Sequence, residues 1–201
     1  MANKSREVFL IKTKDRNYGI NELMGQFNLD EFNGDKVAIK ANFNSADPFP
    51  ASTHIDTVRA IVNKLKEVHV DEIVLAERSG MGNTQDVLEK IGVFKLSEDL
   101  GFKAVALDKE DKREWVKIEK NGMHWLKGFY IAKLFLETKR IIQTCCLKTH
   151  RFGGHFTLSL KNSVGLIAKR LPGGLYNYMA ELHMSPYQRQ MIAEINNHYH
   201  V

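Results

Sequence analysis

Val37-Ala38-Ile39 and Ile73-Val74-Leu75-Ala76 are short unbroken apolar runs, and between them Ile55, Val58, Val62 and Leu65 recur at helical spacing. A run without polar alternation is what a strand shows when both of its faces are covered. Two such runs joined by an amphipathic helix read as a parallel pair with its crossover. Thr53, with Asp56 three residues on, offers that helix a capping box. Outward from this unit the same grammar repeats. Strands are expected at Glu7–Lys12, Lys36–Lys40, Glu72–Ala76, Lys103–Leu107 and Arg140–Leu147. A helix around Ile20, Leu23, Met24 and Phe27 links the first two, and another begins near Thr84 and carries Val87, Leu88 and Ile91. The predicted class is α/β, a mostly parallel sheet of about five strands with crossover helices, Rossmann-like in its winding.

Residues 108–139 break the alternation. Trp115-Val116-Lys117-Ile118 followed by Asn121-Gly122 predicts an inserted hairpin near 114–128, with Met123 to Gly128 as its second arm. Trp115 and Trp125 are assigned to packing within it. The stretch after Pro172-Gly173-Gly174 reads as loop, and after Pro186 a helix runs through Met191, Ile192 and Ile195. No repeat, low-complexity tract or linker interrupts the chain, so residues 1–201 read as a single α/β domain.

The composition narrows the function. Of the 201 residues 43% are hydrophobic and 26% charged, enough for a sizeable core and inconsistent with disorder. No apolar run approaches the ~18–20 residues of a membrane span, and the opening residues run into a strand-like segment without a signal-peptide core, so a cytoplasmic protein with no membrane partner is expected. Cys145 and Cys146 are adjacent and are the only two cysteines. They exclude a disulfide framework and any cysteine-only zinc or iron–sulfur site within one chain. Strand alternation points their thiols to opposite faces, one of them to the core. The 29 basic residues against 24 acidic give +5, which favours anionic ligands; with no basic tail or reader motif, no specific nucleic-acid partner is expected.

In an open α/β sheet, ligands bind beyond the carboxyl ends of the strands. Those exits are polar here: Lys40-Ala41-Asn42 after the second strand, Glu77-Arg78-Ser79-Gly80 after the third, and Lys148-Thr149-His150-Arg151-Phe152-Gly153-Gly154-His155 after the fifth. Leu160, Val164, Ile167 and Ala168 then predict a helix beginning near Thr157 to Ser159. Lys161 falls in its first turn, where the helix dipole disfavours a cation unless an anion sits there too. Gly153 and Gly154 let backbone approach such an anion, and Lys148, Arg151, His155 and Asn162 supply donors. The expected site therefore binds a small anion through Lys40, Asn42, Arg78, Ser79, Lys148, Arg151, Gly153, Gly154, His155, Lys161 and Asn162. Glu77 or His150 would move the proton. The plain alternative is a flexible glycine turn with Lys161 and the histidines in solvent. The spacing is not that of a Walker loop, and Gly80-Met81-Gly82 lacks the third glycine of a dinucleotide fingerprint. His150, His155, His183 and Glu77 carry metal-ligating atoms, but two histidines in a basic loop repel a cation, and no metal site is assigned.

Several strings appear together in one order: Ala51-Ser52-Thr53-x-x-Asp56, Ala76-Glu77-Arg78-Ser79-Gly80-Met81-Gly82, Lys148-Thr149-His150, Ser159-Leu160-Lys161-Asn162-x-Val164-Gly165, Tyr178-Met179-x-Glu181-Leu182-His183 and Met191-Ile192-Ala193-Glu194-Ile195-Asn196. In them the chain closely resembles the family catalogued as domain of unknown function 362, over roughly residues 36 to 197. The resemblance implies a prokaryotic protein, often fused to or found beside ferredoxin-type iron–sulfur modules, with no general reaction assigned and the cofactor unknown. Members usually continue past the last string into a second half, so on this resemblance residues 1–201 are the N-terminal two-thirds of a longer domain. Two functions follow as expectations. One is an enzyme acting on a small phosphorylated or carboxylated ligand. The other is a non-catalytic ligand-binding or redox-accessory module that docks with a ferredoxin-type partner. A sheet with an uncovered edge or face also predicts self-association.

Overall fold

A computed structural model describes residues 7–149 and 157–199. In chain order the elements are α1 (Arg16–Met24), β1 (Lys36–Lys40), α2 (Ile55–Glu67), β2 (Glu72–Glu77), α3 (Thr84–Ile91), α4 (Val93–Leu100), β3 (Lys103–Ala106), β4 (Trp115–Ile118), β5 (Phe129–Ala132), α5 (Lys133–Glu137), β6 (Arg140–Gln143), α6 (Ser159–Asn162), α7 (Tyr178–Met184) and α8 (Gln188–Ile195). Four strands form a parallel sheet in the order β3-β2-β1-β6, and β4 pairs antiparallel with β5. The class is α/β and Rossmann-like, as the apolar runs predict. Val37, Ile39 and Leu75 face a core built with Val58, Val62, Leu65 and Leu88 of the helices, while Ala38, Val74, Ala76 and Ile141 face a second core containing Trp125, Phe129, Phe135 and Met191. Fully burying one such aliphatic side chain stabilises by about 1.5–3 kcal/mol, so each run is held from both sides.

The chain moves outward from β1 to β2 and β3, then returns to the opposite flank of β1 as β6. This reversal opens a crevice beyond the carboxyl ends of β1 and β6, the position where doubly wound sheets bind ligands.

Five expectations are corrected. Residues 7–12 form no strand, so among the described residues four parallel strands stand where about five were expected. Ile11 lies instead against Gly19 of α1, and the Phe9 ring is 5.6 Å from that of Phe27, three residues past the helix. The hairpin's second arm is Phe129–Ala132, not Met123 to Gly128, because Trp125 is withdrawn into the core and its Nε1 donates to Met191 O at 3.1 Å. The last strand stops at Gln143 rather than Leu147. The helix expected from Thr157 onward is a single turn, Ser159–Asn162, followed by a 3-10 turn at Ser163–Leu166, and Leu160 is exposed. The cause is Arg78, whose guanidinium draws off the carbonyls of Val164 and Ile167. Finally, His54 rather than Thr53 caps α2, its Nδ1 accepting from Asp56 N at 3.2 Å, while Thr53 Oγ1 is taken by Asn42 N. Three helices the sequence left unread, α4, α5 and α7, complete the layers; α3 and α4 are divided at Gly92, whose φ of 86° is left-handed.

Candidate anion site at the sheet switch point

The register that sets Ile39 beside Leu75 brings Lys40, the last residue of β1, level with the end of β2. Both Lys40 and Glu77 are essentially removed from solvent. Lys40 Nζ lies 2.6 Å from Glu77 Oε1 and 2.7 Å from Oε2, and also donates to Ala41 O at 2.5 Å and Asn162 Oδ1 at 3.2 Å. The carboxylate accepts two backbone N–H groups besides, Phe43 N on Oε2 at 3.0 Å and Arg78 N on Oε1 at 2.9 Å. Its lone pairs are thereby taken up. Burial holds the Lys40 ammonium below the usual lysine range, against the attraction of Glu77.

Asn162, on α6, bridges the crevice. Its Nδ2 donates to Lys40 O at 3.1 Å and to Thr144 O at 3.4 Å, joining the exits of β1 and β6, while its Oδ1 accepts from Lys40. Arg78 is buried and, among the described residues, has no carboxylate on its guanidinium: Nε donates to Ile167 O at 3.0 Å, Nη1 to Ser79 O at 3.3 Å, and Nη2 to Val164 O and Met179 Sδ. Desolvation lowers its pKa to about 10. Ser79 Oγ donates to Phe43 O at 2.6 Å, and Asn42 Nδ2 to Ala51 O at 3.2 Å. The structure thus brings Lys40, Asn42, Glu77, Arg78, Ser79 and Asn162 together and engages them with one another and with the surrounding backbone.

Lys161 differs. It is half-buried and, among the described residues, has no carboxylate partner. Burial pushes its ammonium below the usual lysine range, and Lys148, Arg78 and Lys40 push the same way. Lys148 is held beside it by a bridge to Thr157, whose N donates to Lys148 O at 2.8 Å. His150, Arg151, Gly153, Gly154 and His155 lie outside the described residues. His183, the remaining histidine of the metal reading, is turned to its own helix, with Nδ1 2.6 Å from Met179 O. Among the described residues no cluster of three metal-ligating side chains forms. Cys146 is buried, with Sγ donating to Ser52 O at 3.3 Å, and burial raises both thiols above the usual cysteine range.

Two participants went unread in the sequence. A Cβ on Gly165 would stand 2.5 Å from Lys40 Cε and 2.9 Å from Glu77 Oε1, so only glycine lets this backbone lie on the ion pair. Asn44 clasps the loop after β2, accepting Gly80 N on Oδ1 at 3.1 Å and Met81 N on its carbonyl at 2.9 Å. A second asparagine at one strand exit was the available signal. Beyond these, Lys169 Nζ donates to Gly80 O at 3.3 Å at the margin of a cleft of about 600 Å³ lined by Asp108, Lys109, Arg170 and Asn177. Another cavity, of about 200 Å³, lies at the opposite edge among Lys36, Glu72 and Lys103, away from this chemistry.

A family model described as Domain of unknown function (DUF362) matches residues 37–201. Comparisons with curated proteins and with solved structures return no match. No helix among the described residues is long and apolar enough to cross a membrane.

Proposed function

The chain belongs to the family of the domain of unknown function 362, and from that premise and the surplus of positive charge at the switch point we propose that it binds a small phosphorylated or carboxylated ligand at the carboxyl edge of the sheet and acts on it there. The observation that carries this reading is Lys161, a half-buried cation set against Lys148, Arg78 and Lys40 with no described carboxylate to offset it. Withdrawing charge from water without a partner is costly, and an anion supplied from solution removes the cost. Lys161 and Lys148 meet the anion. Lys40, Glu77, Arg78 and Asn162 form a rigid floor beneath it, and Glu77 positions Lys40 rather than carrying a proton, since its lone pairs are occupied. On the sequence, Arg151, Gly153, Gly154 and His155 extend the anion cradle and His150 supplies the acid or base.

Inorganic phosphate tests the binding half. It should raise the melting temperature by mass action, and the double variant Lys148→Ala, Lys161→Met should abolish the rise. An anion beside Lys161 also restores that ammonium's pKa toward its ordinary value, so binding should take up protons as pH rises toward the ordinary lysine range. Calorimetry in two buffers of different ionisation enthalpy reads that uptake. A variant that responds to phosphate as the parent does would place the anion elsewhere.

A further inference from the structure

The cleft of about 600 Å³ lies beyond the carboxyl end of β3, and neither Lys148 nor Lys161 lines it. Two segments supply its charges. Lys169 and Arg170 come from the chain that follows α6, and Asp108, Lys109 and Glu110 from the chain that leaves β3. Among the described residues, no ion pair joins any of these five side chains to another or to a further partner. Charged neighbours elsewhere on this surface do pair, as Glu72 does with Lys36 and Lys103. Two of the five are also anchored. Lys169 Nζ donates to Gly80 O at 3.3 Å, and Asp108 Oδ2 accepts from Thr84 N at 3.3 Å. Gly80 lies in the loop that joins β2 to α3, Thr84 ends it, and Ser79 N draws it closed by donating to Thr84 Oγ1 at 2.9 Å. A cation and a carboxylate are thus fastened to the two ends of one closed loop without meeting.

We propose that this cleft binds an α-amino acid with an apolar side chain, at a site separate from the anion site described above. Lys169, Arg170 and Asn177 receive its carboxylate, Asp108 and Glu110 its ammonium, and Leu171 and Pro172 its side chain. The capacity for this is in place. One hydrogen bond leaves the Lys169 ammonium two further donors and leaves Asp108 a second oxygen. Asn177 spends its Oδ1 on Met179 N and Ala180 N, so its Nδ2 remains to donate. A plain anion or a plain cation satisfies one of the two anchored charges and sets a like charge beside the other. A molecule with both signs on one carbon serves both at once. Lys109, which is exposed, makes the cations three against two carboxylates, so the carboxylate of the ligand is its better-held end.

Calorimetric titration of the full chain with L-leucine tests this, beside isocaproate, which lacks the ammonium, and isoamylamine, which lacks the carboxylate. Leucine should bind, and each analogue should bind at least about tenfold more weakly, the amine more weakly than the acid. Arg170→Gln should weaken leucine by about tenfold. Asp108→Asn keeps a side-chain oxygen for Thr84 N; it should weaken leucine to a similar degree and leave isocaproate unchanged. Melting temperatures equal to the parent's show that both variants fold, and the comparison of ligands on the parent needs no variant. Lys148→Ala with Lys161→Met should bind leucine as the parent does. Absence of leucine binding at millimolar concentration overturns the proposal, as does an analogue that matches leucine. Binding that survives both Arg170→Gln and Asp108→Asn, or that is lost with Lys148 and Lys161, places the ligand outside this cleft and overturns it as well.

Discussion

Glu77 and Lys40 are a pair whose members cannot be altered singly. Each is buried, and each satisfies partners of the other: Phe43 N and Arg78 N rest on the carboxylate, Ala41 O and Asn162 Oδ1 on the ammonium. Breaking a buried ion pair by removing one partner leaves an uncompensated charge and costs about 3–5 kcal/mol, whereas replacing both by apolar groups can be near neutral. Glu77→Gln and Lys40→Met should therefore each destabilise by that amount in urea titrations, while Lys40→Met with Glu77→Leu should recover part of the sum. The recovery should stay incomplete, because the two backbone N–H groups and the Asn162 amide would lose their acceptors and donor. Additive single losses would show that the two side chains do not act as a unit.

At the scale of elements, two glycines separate backbone strain from steric exclusion. Gly92 divides α3 from α4 at φ 86° with open space around it, so Gly92→Ala meets only the left-handed penalty of about 1–2 kcal/mol. Gly128 has φ 68° as well, but a Cβ there would lie 2.0 Å from Ile118 O, inside the hairpin's first arm. Gly128→Ala should cost clearly more than Gly92→Ala by chemical denaturation, and it should perturb the Trp115 and Trp125 fluorescence that Gly92→Ala leaves unchanged. The same elements show what the sequence could disclose. The β1, α2 and β2 unit was legible because burial on both faces writes an unbroken apolar run, and the rule that sites gather at strand exits located Lys40 and Glu77 before their contacts were known. The run Val8-Phe9-Leu10-Ile11 has the same composition, but whether a strand finds a neighbour is a tertiary matter that local pattern does not encode. The helix expected after Thr157 failed for a related reason. Its carbonyls are claimed by Arg78, about ninety residues earlier in the chain. Neither the Lys40–Glu77 contact nor the closeness of Gly165 to it could be read without the strand register.

Over the whole molecule the two edges of the sheet carry charge differently. Among the described residues at the carboxyl edge, Lys40, Arg78, Lys148 and Lys161 stand around the Glu77 carboxylate, and neither Lys148 nor Lys161 has a carboxylate partner. The amino edge is paired. Asp35 accepts from Arg140 Nε at 3.1 Å and Lys139 Nζ at 3.3 Å, and Glu72 lies 2.6 Å from Lys103 Nζ and 3.1 Å from Lys36 Nζ. These bonds tie the beginnings of all four parallel strands together, and they hold both carboxyls below the usual carboxylate range, chiefly by hydrogen bonds from Arg140 and Lys103. A carboxylate whose pKa is lowered by folding binds fewer protons in the native state than in the unfolded one between its two pKa values. Its contribution is complete above the unfolded value, about 4 for these groups, and is lost as pH falls through the folded value. Asp35→Asn with Glu72→Gln should therefore lower the urea midpoint at neutral pH, and the gap from the parent should close as pH falls below about 4. Salt should narrow the neutral-pH gap, because these pairs are partly exposed and screened. A gap that persists unchanged at low pH would assign the loss to packing or geometry at the strand starts and remove charge pairing as the force that aligns this edge.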